Sequence, residues 1–101
     1  MIKELTFKDV KKNNLNIKIG FNNYHNGAFI IKSYNDLLKK KDIITHINDI
    51  KICKKADFMD IVSKNDNLKL RIYRKQSLFS DILSFRNLKF NDYEIENFEY
   101  L

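Results

Sequence analysis

Proline is absent from this 101-residue chain and glycine occurs only at Gly20 and Gly27, so its turns fall to asparagine and aspartate. Short polar side chains that hydrogen-bond locally let these two residue types enter the left-handed backbone region more readily than other side-chain-bearing residues. They cluster at Asn13-Asn14, Asn22-Asn23, Asn26-Gly27, Asn48-Asp49 and Asn65-Asp66-Asn67. The segments between the clusters are short, and most carry the period of a strand.

Leu15, Ile17, Ile19 and Phe21 alternate with Asn16, Lys18 and Gly20, the pattern of a half-buried strand. Ile2, Leu5 and Phe7 alternate more weakly before it. Ala28-Phe29-Ile30-Ile31 follows Asn26-Gly27, a hairpin-turn signal. Ile43 to Ile47 is a β-branched run stopped by Asn48-Asp49, Ile50 and Ile52 make a short strand, and Leu68, Leu70, Ile72 and Tyr73 make another. Two segments read as helices. Residues 35–41 begin with Asn35-Asp36 and end in lysines, the polarity the helix dipole favours. Residues 54–64 place Phe58, Met59, Ile61 and Val62 on one face, with Asp57 and Asp60 outside it. The fold class expected is α+β: a small, partly open antiparallel barrel or sandwich of five to six strands with two helices.

A hydrophobic fraction of 44% with eight Phe and five Tyr can furnish a core, and the length suits one compact domain. The net charge of +6 divides unevenly. Residues 1–75 hold 17 Lys/Arg against 8 Asp/Glu, a net +9, while residues 76–101 hold 2 against 5, a net −3. The division predicts a body over 1–75 and an acidic, aromatic extension over 76–101, helical at about 77–86 and extended beyond. The body's charge draws anionic partners without naming them. The chain is also rich in Asn and Ile, so the lysine content fits a codon bias towards A+T as well as a functional surface. Met1 runs into Ile2-Lys3-Glu4 without an apolar stretch, no apolar run reaches a membrane-spanning length, and Cys53 stands alone. The expectation is a reduced, cytoplasmic protein with no membrane span, no metal and no cofactor.

The order strand, strand, strand, short helix, strand, strand, helix, strand resembles that of a PDZ domain, and residue patterns agree. Leu37-Leu38-Lys39-Lys40-Lys41-Asp42-Ile43-Ile44-Thr45-His46-Ile47-Asn48-Asp49-Ile50-Lys51-Ile52 resembles the family's short helix and the stretch G-D-x-I-x-x-I-N-G-x-x-V after it. Asp42, Ile44, Ile47 and Asn48 stand in register, whereas Lys41 and Asp49 replace glycines. Asn14-Leu15-Asn16-Ile17 sits where the family carries its carboxylate-binding loop, with Asn16 in place of a glycine. The resemblance covers about residues 2–75.

It implies a non-enzymatic interaction module that binds peptide C-termini or strand-like segments by β-augmentation. The groove strand would be Ile17, Lys18, Ile19, Gly20 and Phe21, and the carboxylate loop Asn14, Leu15, Asn16 and Ile17. Lys11 or Lys12 would steer the carboxylate. Leu15, Ile17, Ile19, Met59 and Val62 would wall the pocket for an apolar last side chain; the alternative is that these five are ordinary core residues, which suits Ile19 better than it suits Leu15 or Val62. Lys55 falls at the helix position that faces the ligand's third-from-last residue, where its charge would favour an acid. The alternative is a solvated lysine at a helix start.

The chain's own end, Phe98-Glu99-Tyr100-Leu101, has that form, so Glu99, Tyr100 and Leu101 are a candidate internal ligand, in cis or in a second copy. The plainer alternative is a surface helix or an extra strand. Two rival readings stand beside the peptide module: a basic nucleic-acid-binding domain, whose affinity would fall steeply with salt, and a self-assembly domain with a permanently filled groove. Catalysis is not expected. His25 and His46 lie far apart, no serine has a nucleophile-elbow context, and Cys53 beside Lys54 and Lys55 lacks a base and an orienting group.

Overall fold

The computed structural model describes residues 1–21, 26–74 and 97–101. Strands β1 (Ile2–Phe7), β2 (Ile17–Phe21), β3 (Ala28–Ser33), β4 (Ile43–Ile47) and β5 (Ile50–Lys51) precede helix α1 (Lys55–Lys64). Strands β6 (Leu68–Tyr73) and β7 (Asn97–Tyr100) follow it. Six strands form one hydrogen-bonded path in the order β1-β6-β4-β3-β2-β7, and β5 pairs beside β4. Every pairing is antiparallel. The path has two ends, β1 and β7, so the sheet is not a closed barrel.

Alternation delivers the core. Ile17, Ile19 and Phe21 of β2 and Leu68, Leu70 and Ile72 of β6 are all buried, together with Ile44 and Ile47 of β4. From α1, Phe58 and Ile61 fill the same cluster, with Met59 and Val62 half-buried at its margin. Asp57 caps the helix start by accepting the amides of Cys53 (3.1 Å) and Lys54 (3.2 Å), which satisfies donors the first turn leaves over. Fully burying side chains of this size contributes roughly 1.5–3 kcal/mol each, so the core dominates stability.

One expectation is corrected here, and two others gain detail. Residues 35–41 form bends and a turn instead of a helix. Side chains intercept the backbone groups a helix needs. Ser33 Oγ donates to the Leu38 carbonyl (2.6 Å) and Asn35 Oδ1 accepts the Leu37 amide (2.8 Å). Asn35 Nδ2 donates to the Leu15 carbonyl (3.1 Å), tying this loop to the entry of β2. Second, the hairpin that Asn26-Gly27 signals does join β2 to β3, but with a connection longer than two residues, because β2 ends at Phe21 and β3 begins at Ala28. Gly27, at φ 109°, lets the chain pass close to β4: a Cβ there would lie 2.9 Å from both Ile43 Cγ2 and the Ile44 carbonyl oxygen. Third, β7 lies along the outer edge of β2, the place of the extra strand that the sequence allows as one alternative for the chain's end. The helix expected at about 77–86 lies outside the described residues.

The two glycine replacements differ in consequence. Asn48 (φ 51°) and Asp49 (φ 67°) both take the left-handed region between the paired Ile47 and Ile50, the geometry of a two-residue type I′ turn. Asn48 Oδ1 also accepts the Lys69 amide (2.8 Å), locking the turn to β6. Lys41 sits at φ 78° with no comparable side-chain aptitude. Lys41→Gly is therefore expected to raise stability by about 1 kcal/mol, read as a higher urea midpoint at unchanged slope. A loss would mean that the side chain's own contacts outweigh the backbone strain.

Candidate peptide-binding groove

The loop before β2 is held from two directions. Asp9 enters the left-handed region (φ 54°), and its carbonyl accepts the amides of Lys12 (3.0 Å) and Asn13 (2.8 Å) in a tight turn. The Asp66 carbonyl accepts the Val10 amide (2.9 Å), and its Oδ1 accepts the Lys11 amide (2.9 Å). The loop is thus fastened to the turn after α1. On its other side, Tyr34 donates its amide to the Asn16 carbonyl (2.9 Å). Asn16 itself has φ 57°, the left-handed conformation a glycine would adopt freely and asparagine tolerates. That turn delivers Ile17 into β2.

Along the edge of β2 away from β3 runs β7, in the register Lys18↔Tyr100, Ile19↔Glu99, Gly20↔Phe98 and Phe21↔Asn97. Leu101 continues the ladder: its amide donates to the Ile17 carbonyl (2.9 Å) and its carbonyl oxygen accepts the Ile17 amide (3.1 Å). Reciprocal bonding marks Ile17 and Leu101 as a hydrogen-bonded pair, and antiparallel alternation then aims the amides of Ile19 and Phe21 at Glu99 and Asn97. Leu101 is half-buried and packs against the core.

Beside Leu101 lies a pocket of about 410 Å³. Val10, Ile17 and Val62 supply apolar wall, while Lys11, Lys18, Lys32, Asn14 and Asn16 supply polar rim. Lys18 and Lys32 stand directly opposite each other across β2 and β3. The pair brings two cationic side chains to the same stretch of the rim. Lys32 Nζ lies 5.1 Å from the centroid of the Tyr34 ring, which also lines the pocket.

Of the residues singled out from sequence, Asn14, Asn16, Ile17, Lys18, Lys11, Val62 and Leu101 meet at this pocket. Leu15 and Ile19 are core residues, at 2% and 0% exposure, and Gly20 and Phe21 are buried along β2. Met59 packs at the core margin. Lys12 is exposed and Lys55 is half-buried as the first residue of α1; neither lines the pocket. Val10, Lys32 and Tyr34 were missing from the sequence reading. The β2–β3 register that brings Lys32 opposite Lys18 shifts between Lys18 and Ile19, and alternation within one strand cannot reveal such a shift.

His46 is half-buried in β4 with Nδ1 2.9 Å from Thr45 Oγ1. His25 lies outside the described residues. Cys53 is exposed and forms no disulfide. Among the described residues no group of three His, Cys, Asp or Glu could hold a metal ion, and no helix is long and apolar enough to cross a membrane. Glu4, Arg71, Asp49 and Lys69 form a chain of surface ion pairs. The hydrogen bond that Lys69 Nζ donates to Asp49 holds the Asp49 carboxyl below its ordinary range and raises the Lys69 ammonium above its own. Such exposed pairs contribute little to stability. No protein-family model matches the chain, and no curated protein matches it in sequence.

Proposed function

We propose that this domain is a PDZ-like interaction module that takes an extended peptide, with an apolar residue at or near its end, as an added strand on β2. The observation that supports this most is the pairing of β7 and Leu101 with β2, because it displays an extended segment seated on that edge. Backbone bonds of this kind supply affinity without regard to sequence, and the side-chain pocket supplies selectivity. Val10 and Val62 suit an apolar side chain, and the cationic rim of Lys11, Lys18 and Lys32 suits a carboxylate at a peptide's end.

The test is an amide-shift titration of the full chain with millimolar synthetic Asn-Phe-Glu-Tyr-Leu, the sequence of residues 97–101. Shifts are expected to concentrate on Ile17, Ile19 and Phe21, and the C-terminally amidated peptide is expected to bind on the order of tenfold more weakly. Equal binding of both peptides would remove the end-reading role and leave strand addition. Shifts spread over the lysine-bearing surface, abolished by salt, would favour the nucleic-acid reading instead.

A further inference from the structure

We propose that residues 97–101 are a tethered, exchangeable occupant of the β2 groove, which admits an outside strand only when that strand outcompetes the chain's own. The inference rests on the strand-addition reading above and concerns how that site is controlled.

Two features of the geometry carry it. First, the occupation is complete where an incoming strand would bind. Ile17 exchanges both of its backbone bonds with Leu101, and Ile19 and Phe21 face Glu99 and Asn97 in the same ladder. No outside strand can pair with this edge until β7 leaves it. Second, the attachment is slight. β7 is a four-residue strand at one end of the sheet path and, among the described residues, is paired on one side only, to β2. Its apolar anchor, Leu101, stays half-buried beside a pocket that it does not fill. A short end strand held along one side opens at far lower cost than an inner strand such as β6 or β4, which have neighbours on both sides.

Weak attachment is nevertheless enough for control when the ligand is part of the same chain. A tethered segment acts at an effective concentration on the order of 1 mM, so an occupant of modest intrinsic affinity still fills its site. An outside peptide of the same class then binds on the order of tenfold or more below its intrinsic affinity. The groove's competitors are defined by its occupant: extended, proline-free segments with an apolar residue in the place of Leu101. Abundant or multivalent ligands get in, and sparse ones do not.

The experiment compares the full chain with Leu101→Asp, which puts a charge where the apolar anchor packs. Fluorescently labelled Asn-Phe-Glu-Tyr-Leu is expected to bind the variant tenfold or more tighter than the unaltered chain. In parallel, hydrogen exchange at Ile19 and Phe21 is expected to be slow in the unaltered chain, fast in the variant, and slow again when peptide is added. Leu101→Ala keeps the backbone bonds and should shift affinity the same way by severalfold, while protected amides at Leu70 and Ile72 report that both variants remain folded. Equal affinities for the unaltered chain and both variants would overturn the tethered-occupant inference and leave strand addition standing. No binding to any of the three would bring down both. If protection at Ile19 and Phe21 in the unaltered chain faded on dilution, the occupant would belong to a second copy, and control in cis would be wrong.

Discussion

Asp42→Ala is expected to destabilise the domain by about 3 kcal/mol, a large share of what a chain of this size has to lose. Asp42 is the one buried charged residue among those described, at 1% exposure. Arg74 meets it in a two-point clamp, Nε to Oδ1 at 2.9 Å and Nη2 to Oδ2 at 2.7 Å. The same carboxylate accepts the Lys39 amide (2.9 Å), and the same guanidinium donates to the Leu37 carbonyl (2.9 Å). Three of these bonds hold the loop between β3 and β4 to the residue after β6, and the fourth braces the loop itself. Removing the carboxylate strands a guanidinium that is only 15% exposed and orphans the Lys39 amide. Replacing both partners with leucine should recover much of the loss, because no charge is then left buried without a partner. Urea unfolding of the two variants checks both statements. A loss below about 1 kcal/mol for Asp42→Ala would mean that water takes over the role of the carboxylate.

That clamp also marks the limit of what the sequence makes legible. Strands β2 and β6 could be read from period-2 alternation, because one face of each is core and the other is not. Helix α1 could be read because Phe58 and Ile61 recur at helical spacing over a capped start. Asn16 and Asn48-Asp49 could be read as turn-makers because the residue type and the backbone region go together. The segment 35–41 could not. Its local pattern favours a helix, and the local bonds of Ser33 and Asn35 that override it are fixed by distant ones: Asn35 bonds to Leu15, and Asp42 to Arg74, contacts that no window of a dozen residues contains. The groove divides in the same way. Its strand and loop lie within a single segment, whereas Lys32 and Tyr34 reach it only through the β2–β3 pairing. The charge contrast between body and extension suggests that the two meet, but charge does not specify a strand register; the backbone ladder does.

Phe58→Ala is expected to cost about 4 kcal/mol and to loosen the groove before it loosens the rest of the sheet. Phe58 has no exposed surface, and its ring meets that of Phe21 edge-on, at 5.6 Å between centroids and 69° between planes. Truncation to alanine removes the transfer energy of the ring, leaves a cavity, and forfeits an aromatic pair that contributes about 0.5–1.5 kcal/mol beyond area. The position of the damage matters as much as its size. Phe21 lies in β2 opposite Asn97, and the helix that carries Phe58 also carries Val62 in the pocket wall. With Phe58 gone, α1 keeps Ile61 as its buried anchor, and both walls of the groove lose their common support. Native-state hydrogen exchange should therefore show Ile19 and Phe21 losing protection ahead of Leu70 and Ile72, whose strand pairs with β1 and β4 instead. Phe58→Leu retains most of the volume and should cost only about 1–2 kcal/mol, with the exchange order preserved. If Phe58→Ala lowered protection equally in β2 and β6, the domain would open only as one unit, and the groove would have no separate weakness through which its occupant could leave.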